Sequence, residues 1–404
     1  MNRYDVIIIG GGAAGFFGAI NIAHINPKLR VVILERGKEV LTKVKVSGGG
    51  RCNVTHAEFD PTELVGHYPR GAKELLGPFH TFMTGDTISW FEERGVELKI
   101  EEDGRMFPIT DSSQTIIDCF LNETRSYNID VKTGHAVQDL SQRDGLWYVD
   151  TKQGEFYGDA ILMACGSSQK VWKMMKKLGH TIVDPVPSLF TFDVSDERIR
   201  DLAGVVAPKV QISVFGTSLS SEGPLLITHS GFSAPSILKL SAYGARVLAD
   251  LNYQFEIKIN FVNESIDSVI DTLKQTKSTS PKKLVVNTVD FSLPKRLWRS
   301  LVIGAGIDQE KRWSDLRKEE LEAIALQLTA AIFKVNGKST FKEEFVTAGG
   351  IDLKEINFKT FESKLQQNLY FAGEVLNIDA VTGGFNFQNA WTGAYIAAQN
   401  IAKQ

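Results

Sequence analysis

The opening of the chain constrains its fold more than any other stretch. Residues 4–24 read YDVIIIGGGAAGFFGAINIAH, a run of four apolar residues followed by a GxGxxG motif and then by small and apolar residues with helical spacing. A second apolar run, VVIL, ends beside Glu35, about twenty residues beyond the last glycine of the motif. A glycine motif between a strand and a helix, with an acid closing the next strand, is typical of a dinucleotide-binding βαβ unit.

Each glycine of this motif has a predicted role. Gly10 allows the tight turn, Gly12 lets a pyrophosphate approach the backbone, and Gly15 lets helix and strand pack closely. The pyrophosphate would rest on the N–H groups and the positive dipole end of the helix. Glu35 would accept hydrogen bonds from ribose hydroxyls, which disfavours a 2′-phosphate there. The cofactor contacts predicted for this unit are Gly10, Gly12, Ala13, Ala14, Gly15, Glu35 and Arg36.

Two later segments favour FAD over NAD as the bound dinucleotide. Residues 159–166, DAILMACG, form another apolar strand ending in small residues, where a cofactor can lie close. Residues 368–374, NLYFAGE, read as a strand and a Gly-Glu pair, and a second glycine pair precedes a C-terminal helix. N–H groups at that helix start would stabilise the negative charge of reduced flavin. The contacts predicted here are Ala164, Gly166, Gly373, Glu374, Gly383, Gly384, Phe385 and Asn386.

Residues 44–53, VKVSGGGRCN, have three possible interpretations: a solvated turn, a metal or redox site, or a cradle for an anionic group. Glycine loses more conformational entropy on folding than any other residue, so a run of three requires a reason. Cys52, Cys119 and Cys165 are far apart and form no CxxC pair. This spacing argues against a zinc ribbon and a local redox disulfide, and no metal is predicted.

The middle of the chain has a different texture from about Pro185 onward. Stretches such as FTFDV, VAPKVQISVFG and NYQFEIKINFV alternate with period two, which predicts antiparallel strands. Residues 233–250 predict a helix, and residues 314–335 predict another that is capped near Ser314. Such an insertion would cover the exposed face of the flavin ring and supply a substrate pocket. His229, in THSGFSAP, is the candidate acid–base residue because histidine titrates near neutrality.

The composition excludes little but sets defaults. The formal net charge is −3, with 43% hydrophobic and 23% charged residues, as in ordinary soluble globular proteins. The N-terminal apolar run is too short for a signal peptide or a membrane span, so a cytoplasmic protein without a membrane partner is expected. The small basic clusters at residues 281–283 and 294–296 are interpreted as solvated surface, and no nucleic-acid partner is expected. The oligomeric state is left open.

Six motifs carry a resemblance to a known family. GGGAAG, KVKVSGGGRCNVT, EEDGRMFPITDSS, GPLLITHSGFSAPSILKLS, VTAGGI and FAGEVLNIDAVTGGFNFQNAW resemble, in this order, the BaiN/YhiN-like bacterial flavoproteins. These are usually described as NAD(P)/FAD-dependent oxidoreductases, and some as aminoacetone oxidase-like. The resemblance runs from residue 4 to the final helix. This sequence departs from the family pattern at Lys45, at His56, which replaces an asparagine, and at Ala234, which replaces a glycine.

The resemblance implies an α/β fold: a glutathione-reductase-like Rossmann FAD-binding domain with one dinucleotide site, interrupted by a β-rich and helical substrate domain. The implied bounds are 1–187 and 346–404 for the FAD domain and 188–345 for the insertion. It also implies that the SGGGRCN loop lies beside the flavin, where Arg51 would add a fixed positive charge and is a second catalytic candidate. The implied contacts are Lys43, Ser47, Gly48, Gly49, Gly50, Arg51, Cys52, Asn53 and, through its backbone at the adenine, Val137.

The expected activity is hydride transfer between a small organic substrate and the flavin N5 atom. Either transient NAD(P)H or oxygen would be the second redox partner, and the sequence does not choose between a reductase and an oxidase. Two alternatives stay open: a flavoprotein that modifies or binds RNA, and a flavoprotein whose FAD is structural. The GRMFPITD segment, at residues 104–111, is either part of the active-site wall or a turn with a packed Phe107.

Overall fold

The computed structural model describes residues 2–288, 290–339 and 346–403. The chain divides into two compact units. The first unit combines the described residues up to Val186 with those from Val346 onward, and the second begins at Pro187 with its described part ending at Ser339. The predicted return to the cofactor domain at residue 345 lies outside the described residues.

Both units contain helices and strands. The helices are α1 (Ala13–Ile25), α2 (Thr42–Gly50), α3 (Pro61–Val65), α4 (Ala72–Phe79), α5 (Thr84–Glu92), α6 (Ser113–Ser126), α7 (Gln169–Lys177), α8 (Pro235–Tyr243), α9 (Ala245–Asp250), α10 (Ile266–Thr279), α11 (Lys295–Gly304), α12 (Lys318–Thr329) and α13 (Phe385–Ile401). The strands are β1 (Asn2–Arg3), β2 (Val6–Ile9), β3 (Val31–Leu34), β4 (Thr55–His56), β5 (Leu98–Ile100), β6 (Arg105–Pro108), β7 (Asp130–Lys132), β8 (Val137–Arg143), β9 (Leu146–Thr151), β10 (Gly154–Gly158), β11 (Ala160–Met163), β12 (Ile182–Ser188), β13 (Thr191–Val194), β14 (Val206–Val214), β15 (Ser220–Ile227), β16 (Gly231–Ser233), β17 (Phe255–Asn260), β18 (Ala331–Ser339), β19 (Val346–Ile351), β20 (Ile356–Asn357), β21 (Glu362–Ser363) and β22 (Leu369–Phe371).

A seven-stranded sheet is the frame of the first unit, in the order β20-β21-β22-β11-β2-β3-β7. Strands β22, β11, β2, β3 and β7 are parallel to their neighbours, while β20 and β21 extend one edge in antiparallel fashion. Every residue of β2 and β3 is buried. Parallel strands that are covered on both faces are apolar throughout, which explains the continuous apolar runs in the sequence. The strands predicted at residues 6–9 and 31–34 are therefore confirmed.

The two ends of the chain meet through α1 and α13. The rings of Phe17 and Trp391 lie 5.1 Å apart between their centroids. Gly18 faces both the sheet and the last helix, because a Cβ atom added there would stand 2.5 Å from Leu162 Cδ2 and 3.7 Å from Ala394 Cβ. A side chain at this position would have to displace the end of the Leu162 side chain, so the glycine favours the close approach of α1 to β11.

The second unit contains a closed barrel in the order β13-β16-β15-β14-β17-β18. All pairings along this order are antiparallel, as the period-two alternation predicts. The barrel core is apolar and includes Phe192, Phe232 and Phe333, all fully buried. Closure removes the exposed edges that an open antiparallel sheet would present.

Two helix predictions in this unit are wrong at their ends. The helix predicted for residues 314–335 begins only at Lys318, where the Arg317 N–H donates to Glu320 Oε2 at 2.8 Å. Its last part is strand β18, in which Ala331, Phe333 and Val335 are buried and alternate with exposed neighbours, because pairing with β13 and β17 stabilises the extended form. The helix predicted for residues 233–250 breaks at Gly244, where a Cβ atom would stand 2.7 Å from Leu219 Cδ1.

Ala234 adopts a backbone conformation that favours glycine. Its φ of 83° and ψ of 174° lie in a region essentially restricted to glycine, and the next residue is Pro235, which opens α8. The strain is local because the THSG turn and α8 fix the backbone on both sides. The position at which this sequence departs from the family glycine is thus a position that needs one.

Replacing Ala234 with glycine is expected to stabilise the protein. Relief of the strained φ outweighs the added flexibility of the unfolded chain, so the unfolding free energy should rise by about 1 kcal/mol. The measurement is urea unfolding of A234G against wild type. The control A323G places glycine in the middle of α12 and should lower the same free energy by about 1 kcal/mol. Equal destabilisation by both variants would contradict the strain.

Candidate cofactor site

The glycines of the first motif differ in what surrounds them. A Cβ atom on Gly10, which has φ of 115°, would stand 2.4 Å from Ala164 O, and one on Gly15 would stand 2.0 Å from Gly10 O. These two positions are therefore closed to any side chain by neighbouring backbone. Around Gly12 a Cβ atom would meet nothing within 4 Å. The turn is packed from below and open at Gly12, which is where the sequence predicts the approach of a pyrophosphate.

Helix α1 begins at the open face of this turn. Gly12 is its N-cap and provides no side-chain hydrogen bond to the first turn. Ala13 and Ala14 are the first two helical residues, and their N–H groups have no acceptor within the helix. An uncapped helix start with methyl-sized side chains suits a phosphate group, which the N–H groups and the helix dipole both attract.

Glu35 stands at the end of β3, beside the glycine turn. Its carboxylate accepts hydrogen bonds from the N–H of Gly11 at 2.8 Å and from the N–H of Gly37 at 2.7 Å. Each carboxylate oxygen keeps a second lone pair that a ribose hydroxyl can use. The next residue, Arg36, is exposed. The backbone N–H of His135 donates to Glu35 O at 2.8 Å, which brings the start of β8 at Val137 to the same strand end.

The ends of three adjacent parallel strands bring together residues that are far apart in the sequence. A Cβ atom on Gly166, after β11, would lie 3.6 Å from Glu374 Oε2, after β22. A Cβ atom on Gly373 would lie 3.5 Å from Ala14 Cβ in α1. Lys43 Nζ donates to Glu374 Oε2 at 2.7 Å. The predicted contacts from the N-terminal, middle and C-terminal segments thus occupy one edge of the sheet, where open α/β folds bind their ligands.

The SGGG loop needs glycine for conformational reasons. Gly48, Gly49 and Gly50 have φ angles of 56°, 68° and 86°, a left-handed run that only glycine adopts readily. A Cβ atom on Gly48 would stand 2.8 Å from Phe107 Cε1, whereas Gly49 and Gly50 have nothing within 4 Å of that position. Ser47, where α2 leaves helical geometry, donates its hydroxyl to Val44 O at 2.8 Å. The loop therefore rests on Phe107 and presents bare backbone on its open side.

Cys52 is unsuited to a redox role. Its side chain is fully buried, and burial raises the pKa of the thiol to about 12 despite a hydrogen bond with Ser47. The thiolate is the reactive form, so this cysteine is inert near neutral pH. Burial likewise raises the pKa of Cys165 to about 12. In residues 2–288, 290–339 and 346–403 no cluster of three His, Cys, Asp or Glu side chains could hold a metal ion.

Arg51 is bound on the side of the loop that carries Phe107. Its guanidinium donates to Glu101 Oε1 at 2.5 Å and lies 3.9 Å above the centre of the Phe107 ring. Arg105 donates to the other oxygen of Glu101 at 3.1 Å, and Phe107 is fully buried. The charge of Arg51 is thus paired within the protein, and its catalytic role stays a prediction.

The C-terminal glycine pair is held by the segment that follows the SGGG loop. A backbone N–H only donates and a carbonyl oxygen only accepts, so the Asn53 amide directs Oδ1 to the Gly384 N–H, at 3.0 Å, and its nitrogen to Thr55 O, at 3.0 Å. A Cβ atom on Gly384 would stand 2.5 Å from Thr55 O. Asn53 thus accepts the Gly384 N–H within the protein, and the contact of Gly384 with the cofactor stays a prediction. Donors at this end come from the first residues of α13, which starts at Phe385 without a side-chain cap.

Asn386 also has a structural partner. Its side chain accepts a hydrogen bond from the Ala380 N–H at 3.0 Å and donates one to Ala380 O at 3.2 Å. The amide thereby closes the loop that leads from Glu374 to α13. One turn further on, the buried Gln388 accepts hydrogen bonds from the hydroxyls of Thr55 at 2.6 Å and Thr87 at 2.9 Å. These side chains fix the loop.

An ion pair that sequence reasoning missed also anchors this loop. Arg70 and Asp379 form a two-point hydrogen-bonded pair, in which Arg70 Nε donates to Asp379 Oδ1 and Nη2 donates to Oδ2. The Asp379 side chain is completely buried, and that of Arg70 is 14% exposed. The backbones of the two residues also form an isolated β-bridge. An acid within the apolar stretch VLNIDAV was the available signal, because buried carboxylates are almost always paired.

His229 lies in the second unit, at the tip of a tight turn. The Thr228 N–H donates to Gly231 O at 2.8 Å, and the Gly231 N–H donates to Thr228 Oγ1 at 3.1 Å. A Cβ atom on Gly231 would stand 2.1 Å from Phe192 O, so β13 fixes the turn. His229 is exposed and lines a cavity of about 800 Å³ within this unit, together with Asp196 and other residues.

Comparison with known proteins fits this architecture. A family model described as the HI0933-like protein Rossmann domain matches residues 4–400. The chain belongs to this family. The Rossmann domain named in the family description agrees with the parallel sheet of the first unit, and the second unit is a β-rich insertion into it. The family resemblance drawn from the sequence motifs is therefore confirmed.

Three individual proteins illustrate the likeness. The chain is 28% identical over 420 residues to a ribosomal RNA dihydrouridine synthase of Haemophilus influenzae, with 100% of both chains covered. It is 26% identical over 415 residues to a 3-dehydro-bile acid delta(4,6)-reductase of Clostridium scindens, again with 100% of both covered. A 3-ketosteroid dehydrogenase of Rhodococcus jostii shares the fold, with a TM-score of 0.54, 13% identity and coverage of 100% and 97%. In the described part of the chain no helix is long and apolar enough to cross a membrane.

Replacing Asp379 with asparagine is expected to destabilise the protein strongly. The substitution removes the carboxylate charge that faces the mostly buried Arg70 guanidinium, which should lower the unfolding free energy by about 3 kcal/mol. The control D139N removes the partner of Lys177 in an exposed ion pair, in which the Lys177 side chain is 70% exposed and the Asp139 side chain 58%. It should change the unfolding free energy by less than about 0.5 kcal/mol. Chemical unfolding of the two variants tests the difference. Similar values for both would show that the buried pair is not needed.

Proposed function

We propose that this protein is an FAD-dependent reductase that saturates a carbon–carbon double bond conjugated to a carbonyl group. The observation that carries the proposal is the meeting of the glycine-containing segments after β2, β11 and β22 at one sheet edge, beside the uncapped start of α1. Residues of this kind fit FAD: Glu35 for ribose hydroxyls, the start of α1 for the pyrophosphate, and the start of α13 for the pyrimidine edge of the flavin.

These residues would orient the cofactor and exclude water from it, and would not themselves react. The ion pair of Lys43 and Glu374 joins α2 to the segment after β22. The other carboxylate oxygen of Glu374 would be available to hydroxyl groups of the cofactor. Bare backbone at Gly49 and Gly50 allows close approach of a planar ring. When bound, FAD supplies hydride chemistry between a nicotinamide and a substrate carbon. Overall, NAD(P)H and one proton would reduce the double bond, with hydride added at one carbon and the proton at the other.

The names of two relatives favour this substrate chemistry. One acts on a 3-dehydro-bile acid and reduces its 4,6 double bonds, and the other makes dihydrouridine, which is uridine with a saturated ring double bond. Both names describe reduction of a ring double bond, although the substrates differ in size. We therefore place a small unsaturated carbonyl compound first. The cavity of about 800 Å³ beside His229 has a size that suits such a substrate, and a net charge of −3 does not favour a polyanion.

Uridine within RNA is the second candidate substrate. Beyond the relative's name, the structure places the basic cluster at residues 281–283 next to Arg312 in the second unit. The Trp313 N–H donates to Lys283 O at 3.1 Å, and Leu284 and Arg312 form an antiparallel bridge, so exposed Lys282, Lys283 and Arg312 lie on neighbouring segments. Cations placed in this way attract phosphates in a salt-dependent manner.

A reoxidation experiment tests the reaction and its substrate. Holoenzyme reduced anaerobically with NADPH is mixed with a cyclic enone, with bulk ribosomal RNA lacking dihydrouridine, or with oxygen, and the visible flavin absorbance is followed. We expect return of the oxidised bands with the enone and a product heavier by two hydrogens. Reoxidation by RNA alone, with dihydrouridine formed, favours the second candidate. Reoxidation by oxygen alone identifies an oxidase and rejects the proposal.

His229 is kept as the candidate proton donor of this reaction. It is exposed to solvent, lines a cavity that a substrate can enter and is held on a fixed turn. Its replacement by glutamine is expected to lower the rate of product formation about 100-fold, with FAD affinity unchanged. S230A changes the neighbouring exposed residue of the same turn and should keep the rate within about twofold of wild type, as expected for a surface change. A wild-type rate in H229Q would remove His229 from the mechanism.

A further inference from the structure

His56 is joined to the C-terminal glycine pair by a hydrogen bond whose direction the chemistry fixes. His56 Nδ1 lies 3.0 Å from Gly383 O. A carbonyl oxygen only accepts, so the hydrogen must be on Nδ1. In the neutral ring the proton is therefore on Nδ1 and Nε2 is the acceptor.

The ring of His56 is held in place by its surroundings. It stacks on Phe385, the first residue of α13, with centroids 4.5 Å apart and planes inclined by 29°. His67 stacks on the same phenylalanine at 4.1 Å and 12°. A Cβ atom on Gly104 would stand 2.5 Å from His56 Nε2, so the turn before β6 closes over the other edge of the ring. Nδ1 is thus directed at Gly383.

The position of His56 in the chain gives this contact its consequence. Two residues of one short segment hold the two glycines. Asn53, just before β4, accepts the Gly384 N–H, and His56, in β4, donates to Gly383 O. Gly383 and Gly384 have φ angles of 135° and 96°, positive values that glycine adopts readily and other residues rarely adopt. Without side chains to restrain them, these peptides take their orientation from the hydrogen bonds at both ends.

We propose that His56 is a positioning residue for the flavin: its Nδ1–H fixes the Gly383–Gly384 backbone and thereby aims the first N–H groups of α13. This inference rests on the proposed function, because it needs FAD at the site. The helix start stabilises negative charge on the reduced form of a bound flavin. A rotated glycine pair would change both the affinity for FAD and the balance between its oxidised and reduced forms.

An isosteric pair of variants separates the hydrogen bond from the ring. In His56→Asn the amide nitrogen is attached to Cγ, as Nδ1 is in histidine, and can donate to Gly383 O. In His56→Leu a methyl group takes that place. The third variant, His56→Phe, keeps a ring against Phe385 but has no donor. His80→Leu, at an exposed histidine after α4, is the matched control.

The measurements are FAD affinity by titration of flavin-free protein, the visible flavin bands, and the midpoint potential of the bound flavin. We expect His56→Asn and His80→Leu to bind FAD within about threefold of wild type, and His56→Leu and His56→Phe about tenfold more weakly, the size of one lost hydrogen bond. The midpoint potential of the last two should fall by about 30 mV, the two-electron equivalent of a tenfold change. A purely structural histidine would not produce rescue by asparagine.

Two results would overturn the inference while leaving the proposed function standing: equal affinities and potentials in the asparagine and leucine variants, whether both near wild type or both weakened. Thermal unfolding of the flavin-free proteins shows whether a variant is folded, and if His56→Leu is not, His56→Phe takes its place in the comparison. Wild-type protein that binds no FAD would reject the proposed function and, with it, the role of His56.

Discussion

Backbone-to-backbone contact at the carboxyl end of the parallel sheet is the constraint on which this structure depends. The turn after β2 passes so close to Ala164 and to the start of α1 that neither Gly10 nor Gly15 has room for a Cβ atom. This closeness lets α1 lie against the sheet, and it allows α13 to pack on α1 near Gly18. The N-terminal and C-terminal segments can then contribute to one site.

The site is built in layers around that contact. The SGGG loop rests on the buried Phe107 and leaves its outer backbone bare. The loop before α13 is tied to the N-terminal segment by Asn53, by His56 and by the buried pair of Arg70 and Asp379. Most of these ties are side chain to backbone, so they specify the shape of the loop without occupying the face that a cofactor would use. Charge is placed beside the strand ends, where Lys43 pairs with Glu374.

Sequence patterns predict helices and strands well and long-range contacts poorly. Strands β2 and β3 were predicted with their observed bounds because a buried parallel strand is apolar throughout. The segment AAIFKV continues the apolar face of the helical pattern that precedes it, and only pairing with β13 and β17 makes it a strand. Barrel closure in the second unit was missed for the same reason, since register between distant strands leaves no local pattern.

The sequence by itself determined the βαβ unit, the glycine-rich segments and the family, because each depends on local residue order and spacing. It also identified Ala234 and His56 as departures from the family pattern. Tertiary structure alone decided what these residues do: Ala234 takes a glycine conformation, and His56 donates to Gly383 O across 327 residues of chain. It alone showed that Arg51 is paired with Glu101 and that Asp379 has a buried partner. Charge pairing and hydrogen-bond direction depend on distance in space, and sequence separation carries no record of that distance.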